Sequence, residues 1–150
     1  MSPREAAVGG YLASGRQESR LSLMFRTAVA AELGLTVTDM ECLDFLIESG
    51  SATAGQLAEQ TGLTTGAITS MIRRLQNAGY LRAERDPDDR RRVIVTPEPE
   101  ALQQGAELYA PFGEQVAELV GAYSEEELAF LTRHQQAMGE IYTAQLERLR

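Results

Sequence analysis

The sequence is poor in residues that form covalent or metal cross-links. Its 150 residues include one cysteine, Cys42, one histidine, His134, and no tryptophan. A single thiol excludes an internal disulfide framework, and one imidazole without Cys or His partners does not make a metal site. We therefore expect a fold held by an ordinary hydrophobic core, with no metal and no other cofactor. Cys42 fits a small buried core thiol.

Long apolar runs are also missing. No run approaches about eighteen residues, so the sequence predicts no membrane span. The first residues, MSPREAAVGG, contain no apolar segment of the kind found in secretory signals. We expect a cytoplasmic protein. The hydrophobic content of 43% is enough for a core, and the length suits one domain or a domain with a dimerisation arm.

The groups that enzymes use are absent as a set. The sequence shows no nucleophile placed beside a base, no pair of placed carboxylates and no glycine-rich phosphate loop. The acidic run from Glu125 to Glu127 fits the N-terminus of a helix, where carboxylates are favourable. We expect that the protein is not an enzyme.

Lysine is absent too, and all fourteen basic residues are arginine. A GC-rich genome explains this bias as well as a function does. The distribution of charge is more informative, because the chain as a whole carries −8. Between Arg73 and Arg92 there are seven Arg and four acids, a net of +3, which leaves −11 for the remainder. A basic patch on an acidic body steers a polyanion towards one face.

The residues from Gln56 to Asn77 are typical of two short helices joined by a tight turn. Gly62 suits the positive φ that such a turn needs. The second helix has an apolar stripe at helical spacing, formed by Ile68, Met71, Ile72 and Leu75. Its opposite face carries small and basic residues without an acid: Thr65, Gly66, Thr69, Ser70, Arg73 and Asn77. Such a face can enter the major groove of DNA, although an ordinary exposed amphipathic helix has the same pattern.

A β-hairpin is predicted directly after this helix. Gly79 suits the position that follows a helix end, and residues 80–85 and 92–95 read as two strands. Between them, Asp86-Pro87-Asp88-Asp89 has turn chemistry, and three consecutive arginines follow at 90–92. Arginine on a narrow hairpin can reach the minor groove, whose negative potential attracts it.

The stretch LTTGAITSMIRRLQNAGYLRAERDPDDRRRVIV resembles the winged helix of the MarR family of bacterial transcription regulators. The family's D-P-x-D-R-R wing signature matches residues 86–91. More weakly, the resemblance covers the whole chain. It implies a mostly α fold with a small β-wing, in which a winged helix-turn-helix is flanked by long dimerisation helices. It also implies a homodimeric repressor that binds an inverted-repeat operator in double-stranded DNA.

The resemblance implies roles for residues of the recognition helix, predicted over 64–78 in the major groove. Thr64 matches the cap of that helix. Arg74 matches a position that is usually basic and often contacts phosphate, and a surface ion pair is the alternative. The groove-facing side chains would be Thr65, Thr69, Ser70 and Arg73.

The wing, predicted over 82–95, would lie in the minor groove. Asp89 and Arg91 match the family's D-x-R signature, the aspartate as a brace and the arginine as the minor-groove probe. Arg90 could serve as the probe instead. Arg82 and Arg85 could simply solvate the strands.

The remaining chain is predicted to be helical. Residues 1–10 are expected to be loose, and a first helix spans about Tyr11 to Leu33. Capping boxes are predicted at Thr38 with Glu41, Thr53 with Gln56, and Ser124 with Glu127. Two long helices follow the wing, starting near Pro99 and Ser124. We predict three regions: 1–35, an N-terminal dimerisation helix; 36–97, the DNA-binding lobe; and 98–150, two dimerisation helices.

The apolar stripes of the long helices have too little of the small lobe to pack on, so a second copy is the economical partner. A self-contained helical hairpin is the alternative.

The resemblance further implies that a small aromatic or phenolic effector, bound between lobe and arm, lowers DNA affinity. Met24, Phe25, Met40 and Phe45 are candidate walls, and they fit equally well as core residues. Some relatives sense peroxide through a first-helix cysteine, whereas Cys42 lies in the second helix.

A different class of function is a protein-interaction module that reuses a winged helix without binding DNA. Such a module would not need three consecutive arginines at a hairpin tip.

Overall fold

The computed structural model describes residues 1–149. The first helix, α1, spans Pro3–Glu32, so the expectation of a loose segment at 1–10 is wrong. Ser2 caps this helix: its Oγ accepts from Glu5 N at 3.2 Å, and its own N donates to Glu5 Oε2 at 2.6 Å. Pro3 at the first helical position has the φ that a helix needs. These local signals start the helix about eight residues before the apolar pattern becomes visible.

The second helix, α2, spans Val37–Ser49 and begins slightly earlier than predicted. Its capping box is formed by Thr36 and Asp39, not by Thr38 and Glu41. Asp39 Oδ2 accepts from Thr36 N at 2.9 Å, and Asp39 N donates to Thr36 Oγ1 at 3.1 Å. The predicted box at Thr53 and Gln56 is confirmed, and it opens α3, which spans Ala54–Thr61.

Helix α4 spans Thr65–Asn77, within the predicted recognition helix. The hairpin follows as β2, Leu81–Arg85, and β3, Val93–Pro97. An additional strand, β1, covers Ala52–Thr53 and pairs with the other edge of β3, so the antiparallel sheet has the order β1-β3-β2. The sequence analysis missed β1 because two residues show no periodicity; pairing with Val95 and Ile94 defines it.

One hydrophobic core unites these elements. The side chains that are almost completely excluded from solvent come from four of them: Leu46 and Cys42 in α2, Leu57 in α3, Ile68 and Leu75 in α4, and Val95 in β3. This core fixes α4 between α3 and the sheet, so one face of α4 is buried and the other faces outward. The prediction of a mostly α, winged helix-turn-helix fold with a small β-wing is confirmed.

Two long helices complete the chain, α5 over Pro99–Gly121 and α6 over Glu125–Leu149. The predicted capping box at the start of α6 is confirmed, because Glu127 N donates to Ser124 Oγ at 3.2 Å and Ser124 N to Glu127 Oε2 at 2.7 Å. The chain divides into two compact units, residues 1–108 and 109–150, and the division falls inside α5. The region boundaries predicted at 35/36 and 97/98 stay predictions.

Across residues 1–149, no helix on its own has the length and apolar composition to cross a membrane. Among the described helices, α1 and α2 taken together are the one pair that meets the criterion, and a 90° bend separates them.

Candidate nucleic-acid interface

The turn between α3 and α4 presents α4 to solvent along one side. Gly62 ends α3 with φ of 69°, a left-handed conformation that glycine adopts without strain. Thr64 then caps α4, and its Oγ1 accepts from Ala67 N at 3.4 Å, as expected for the residue before a recognition helix. The apolar stripe of α4 is buried, namely Ile68, Met71, Ile72 and Leu75.

The predicted groove face of α4 is solvent-exposed along its whole length. Thr65, Thr69, Ser70 and Arg73 all lie there, and no carboxylate stands among them. Thr69 Oγ1 donates to Thr65 O at 2.9 Å, so its hydroxyl proton is directed towards the backbone of its own helix. The structure therefore brings these four predicted contacts together on one surface. Their contact with DNA stays a prediction.

The tip of the wing is a tight turn held by aspartates. The backbone closes it, since Asp86 N donates to Arg92 O at 3.0 Å and Arg92 N to Asp89 O at 2.8 Å. The carboxylate of Asp89 accepts from Arg91 N at 3.0 Å, which gives Asp89 the geometry of a brace. This bond orients the backbone of Arg91, while the guanidinium groups of Arg90 and Arg91 extend from exposed positions.

A second brace, Asp86, was missed by the sequence analysis. Its side chain is 9% exposed, its Oδ1 accepts from Asp88 N at 2.9 Å, and its Oδ2 lies 3.6 Å from Arg92 Nε. An aspartate that accepts from the amide two residues ahead forms an Asx-turn, and the Asp-Pro-Asp sequence carries that signal. Arg92 is thereby held at the turn that closes the wing.

The seven arginines of the basic segment divide into two groups. Three form ion pairs within the protein: Arg74 with Asp39, Arg82 with Glu84 and Glu98 at 3.7 and 3.6 Å, and Arg92 with Asp86. Within residues 1–149 the other four have no acidic partner, and they are Arg73, Arg85, Arg90 and Arg91. A guanidinium without an internal partner can bind a phosphate without first breaking an ion pair. Arg85 thus joins the available set, although sequence reasoning gave it only a solvating role.

Arg74, one of the predicted DNA contacts, has a side chain that is 54% exposed, and one nitrogen of its guanidinium is bonded to the protein. Its Nη2 is hydrogen-bonded to Oδ1 of Asp39, whose side chain is 1% exposed. Asp39 was not singled out in the sequence, although its place three residues after Thr36 marks it as a capping acid. The ion pair was the alternative interpretation of Arg74, and the structure contains it.

The remaining candidates lie inside or away from this surface. Cys42 is completely buried, and burial, together with the nearby Asp39 carboxylate, raises the pKa of its thiol from 9.0 to about 11. His134 stacks on Phe130 in α6, with ring centroids 6.5 Å apart.

Of the predicted effector walls, Met40 belongs to the core, Phe45 packs against it, Phe25 is half-buried and Met24 is exposed. The described residues contain no cluster of three His, Cys, Asp or Glu able to hold a metal.

Comparison with known proteins extends these observations. Residues 33–92, which include the whole basic segment, match the sequence model of the MarR family. The chain is 39% identical over 129 residues to an uncharacterized HTH-type transcriptional regulator, YcgE, from Bacillus subtilis, with 86% of this chain and 84% of that protein aligned.

Solved structures share the fold. A mutant of MepR from a multidrug-resistant S. aureus clinical isolate superposes with a TM-score of 0.73 at 18% identity, covering 88% of this chain and 96% of that one. Reduced AbfR bound to DNA superposes with a TM-score of 0.57 at 22% identity, covering 94% and 99%.

Proposed function

This chain belongs to the MarR family of DNA-binding transcriptional regulators, and from that premise we propose that two copies of it act together as a repressor on an inverted-repeat operator. Helix α4 would enter the major groove, and the wing would enter the adjacent minor groove. The observation that carries this proposal is the set of four guanidinium groups without acidic partners among the described residues, all on α4 and the wing of an otherwise acidic chain.

Side chains of different chemistry would contact different parts of the DNA. The hydroxyls of Thr65 and Ser70 can donate to and accept from base edges, and the hydroxyl of Thr69, which donates to Thr65 O, can accept. Arg73 can reach either guanine or phosphate. At the wing, Arg91 would probe the minor groove, with Arg90 beside it and Asp89 fixing the backbone between them. Thr64 would contribute by capping the helix, whose N-terminus favours a phosphate.

A second copy of the chain is the proposed partner of the long helices. Neither α5 nor α6 has a single buried residue among those described, although both carry large apolar side chains. Exposed examples are Phe112 and Leu119 in α5, and Phe130, Ile141, Tyr142 and Leu146 in α6. Exposed apolar surface on this scale marks an interaction site. A symmetric dimer would cover it and would set two α4 helices about one turn of DNA apart.

Release by a small aromatic or phenolic effector completes the proposal. Such a ligand would bind the conformation whose half-site spacing does not suit the operator, and it would lower DNA affinity by that preference. Phe25, Phe45 and Met24 are the candidate walls with exposed or half-buried side chains.

The test is selection of bound duplexes from a random-sequence pool, with the mass of the protein–DNA complex measured by light scattering. We expect one enriched sequence with two inverted half-sites about 10 base pairs apart, bound by two chains. No enrichment over the starting pool, or a single half-site bound by one chain, would refute the proposal.

A further inference from the structure

Asp39 and Arg74 form the only described contact between a fully buried carboxylate and the recognition helix, judged over residues 1–149. We propose that Arg74 is a positioning residue: its ion pair with Asp39 fixes the orientation of α4 for DNA binding, and its guanidinium does not contact phosphate. The proposal deepens the proposed function and rests on it.

Both oxygens of Asp39 are engaged. Oδ2 accepts from Thr36 N at 2.9 Å and from Thr36 Oγ1 at 2.8 Å, while Oδ1 accepts from Arg74. These bonds also cap α2, so Asp39 cannot follow Arg74 outward without unwinding the first turn of that helix. If Nη2 of Arg74 left Asp39 for a phosphate, a carboxylate that is 1% exposed would lose its cation. Leaving a buried charge without its partner is strongly unfavourable, so the pair resists exchange with DNA.

A second bond ties the end of the recognition helix to the same part of the chain. Tyr80, which follows α4 after two residues, is buried, and its hydroxyl donates to Leu33 O at 3.1 Å. Leu33 caps the C-terminus of α1, and Asp39 lies in the first turn of α2. The stretch from Leu33 to Asp39 therefore holds α4 and its extension at two points. A tilt of α4 would have to break one of them.

Arg73, the residue before Arg74, differs from it in having no ion pair within the described residues. Arg73 lies on the exposed face with the predicted groove contacts and has no acidic partner among the described residues. Consecutive residues of a helix point about 100° apart. One arginine of the pair can therefore serve the protein while the other serves DNA.

The deciding experiment compares Asp39→Asn with Glu41→Gln, using a labelled duplex selected from a random pool by the wild-type protein. Both changes remove one negative charge, and Glu41 is exposed on the same helix without a described partner. For a positioning role we expect Asp39→Asn to weaken binding about tenfold while Glu41→Gln does not weaken it, because only the first frees Arg74. If Arg74 contacts phosphate, Asp39→Asn releases it for DNA, and affinity would hold or rise. That result would overturn the proposal.

Two further readouts separate positioning from loss of folding. Arg74→Met keeps the aliphatic stem, and we expect it to weaken binding without changing the salt dependence. Arg73→Ala should reduce the slope of log K against log salt by about 0.9 for each phosphate that is no longer neutralised. Hydrogen exchange in the absence of DNA should accelerate in α4 for Arg74→Met and Asp39→Asn, but not for Arg73→Ala. A smaller salt slope in Arg74→Met, with unchanged exchange, would establish a phosphate contact instead.

The failures of the two proposals are distinguishable. A wild-type protein that retains no duplex from the pool would refute the DNA-binding assignment. Tight wild-type binding that Asp39→Asn leaves intact would refute the role of Arg74 alone.

Discussion

Replacing Arg91 with alanine should change the salt dependence of DNA binding by an amount that the structure sets. Four arginines per chain lack an internal acidic partner among the described residues, which makes eight in a dimer. If each neutralises one phosphate, log K should fall against log salt with a slope of about −7, or about 10⁴-fold in affinity between roughly 50 and 200 mM salt. Arg91→Ala removes two of these arginines from the proposed dimer, so the slope should become about −5.

Fluorescence anisotropy at several salt concentrations, with the selected duplex, measures both slopes. Arg82→Ala is the matched control, because Arg82 lies in the adjacent strand and pairs with Glu84 and Glu98. We expect its slope to equal that of the wild type. Arg90→Ala identifies which tip residue makes the closer approach, since the larger loss of affinity belongs to the minor-groove probe. An Arg91→Ala slope equal to that of the wild type would show that internal pairing does not determine which arginines meet DNA.

Three other predictions concern the scaffold of this surface. Asp86→Ala removes the acceptor for the Asp88 amide and the partner of Arg92. Amide hydrogen exchange at the wing tip should therefore accelerate, and DNA affinity should fall at least about tenfold. Unchanged exchange would mean that the backbone hydrogen bonds alone hold the turn. Leu75→Ala, at a fully buried position of α4, should lower the free energy of unfolding by about 3–5 kcal/mol in urea titrations. A decrease below about 1 kcal/mol, on the order of a surface substitution, would contradict the burial of Leu75 in the core. The thiol of Cys42 has its pKa raised to about 11, so the unfolded chain loses this proton first, near pH 9.0, and stability should decline from there to about pH 11. Relative to Cys42→Ala, the decline should approach about 2–3 kcal/mol, and a thiol reagent should label native protein far more slowly than unfolded protein.

Much of the architecture could be predicted from the sequence because the signals are local. The stripe from Ile68 to Leu75, the glycine at 62 and the capping residue Thr53 each act within one or two helical turns. The wing followed from a short run of turn residues between two strand-like segments. These interactions involve neighbours along the chain, so spacing alone is enough to predict the elements and the exposed face of α4.

Local signals were insufficient where two of them competed. Thr36 and Thr38 each have an acid three residues later, and the sequence analysis chose the wrong box. The structure selects Thr36 because its partner, Asp39, is buried and also bonds Arg74, which is 35 residues away. A cap is a local motif, but the contact that decided between the two caps is a long-range one.

The sequence by itself determined that α3, α4 and the wing form and that arginine concentrates on α4 and the wing, because periodicity, turn chemistry and charge are properties of neighbouring residues. The tertiary structure alone decided which arginines are free of internal ion pairs among the described residues. Ion pairs join residues that the chain brings together only on folding, so Arg73, Arg85, Arg90 and Arg91 differ from Arg74, Arg82 and Arg92 by their surroundings and not by their chemistry.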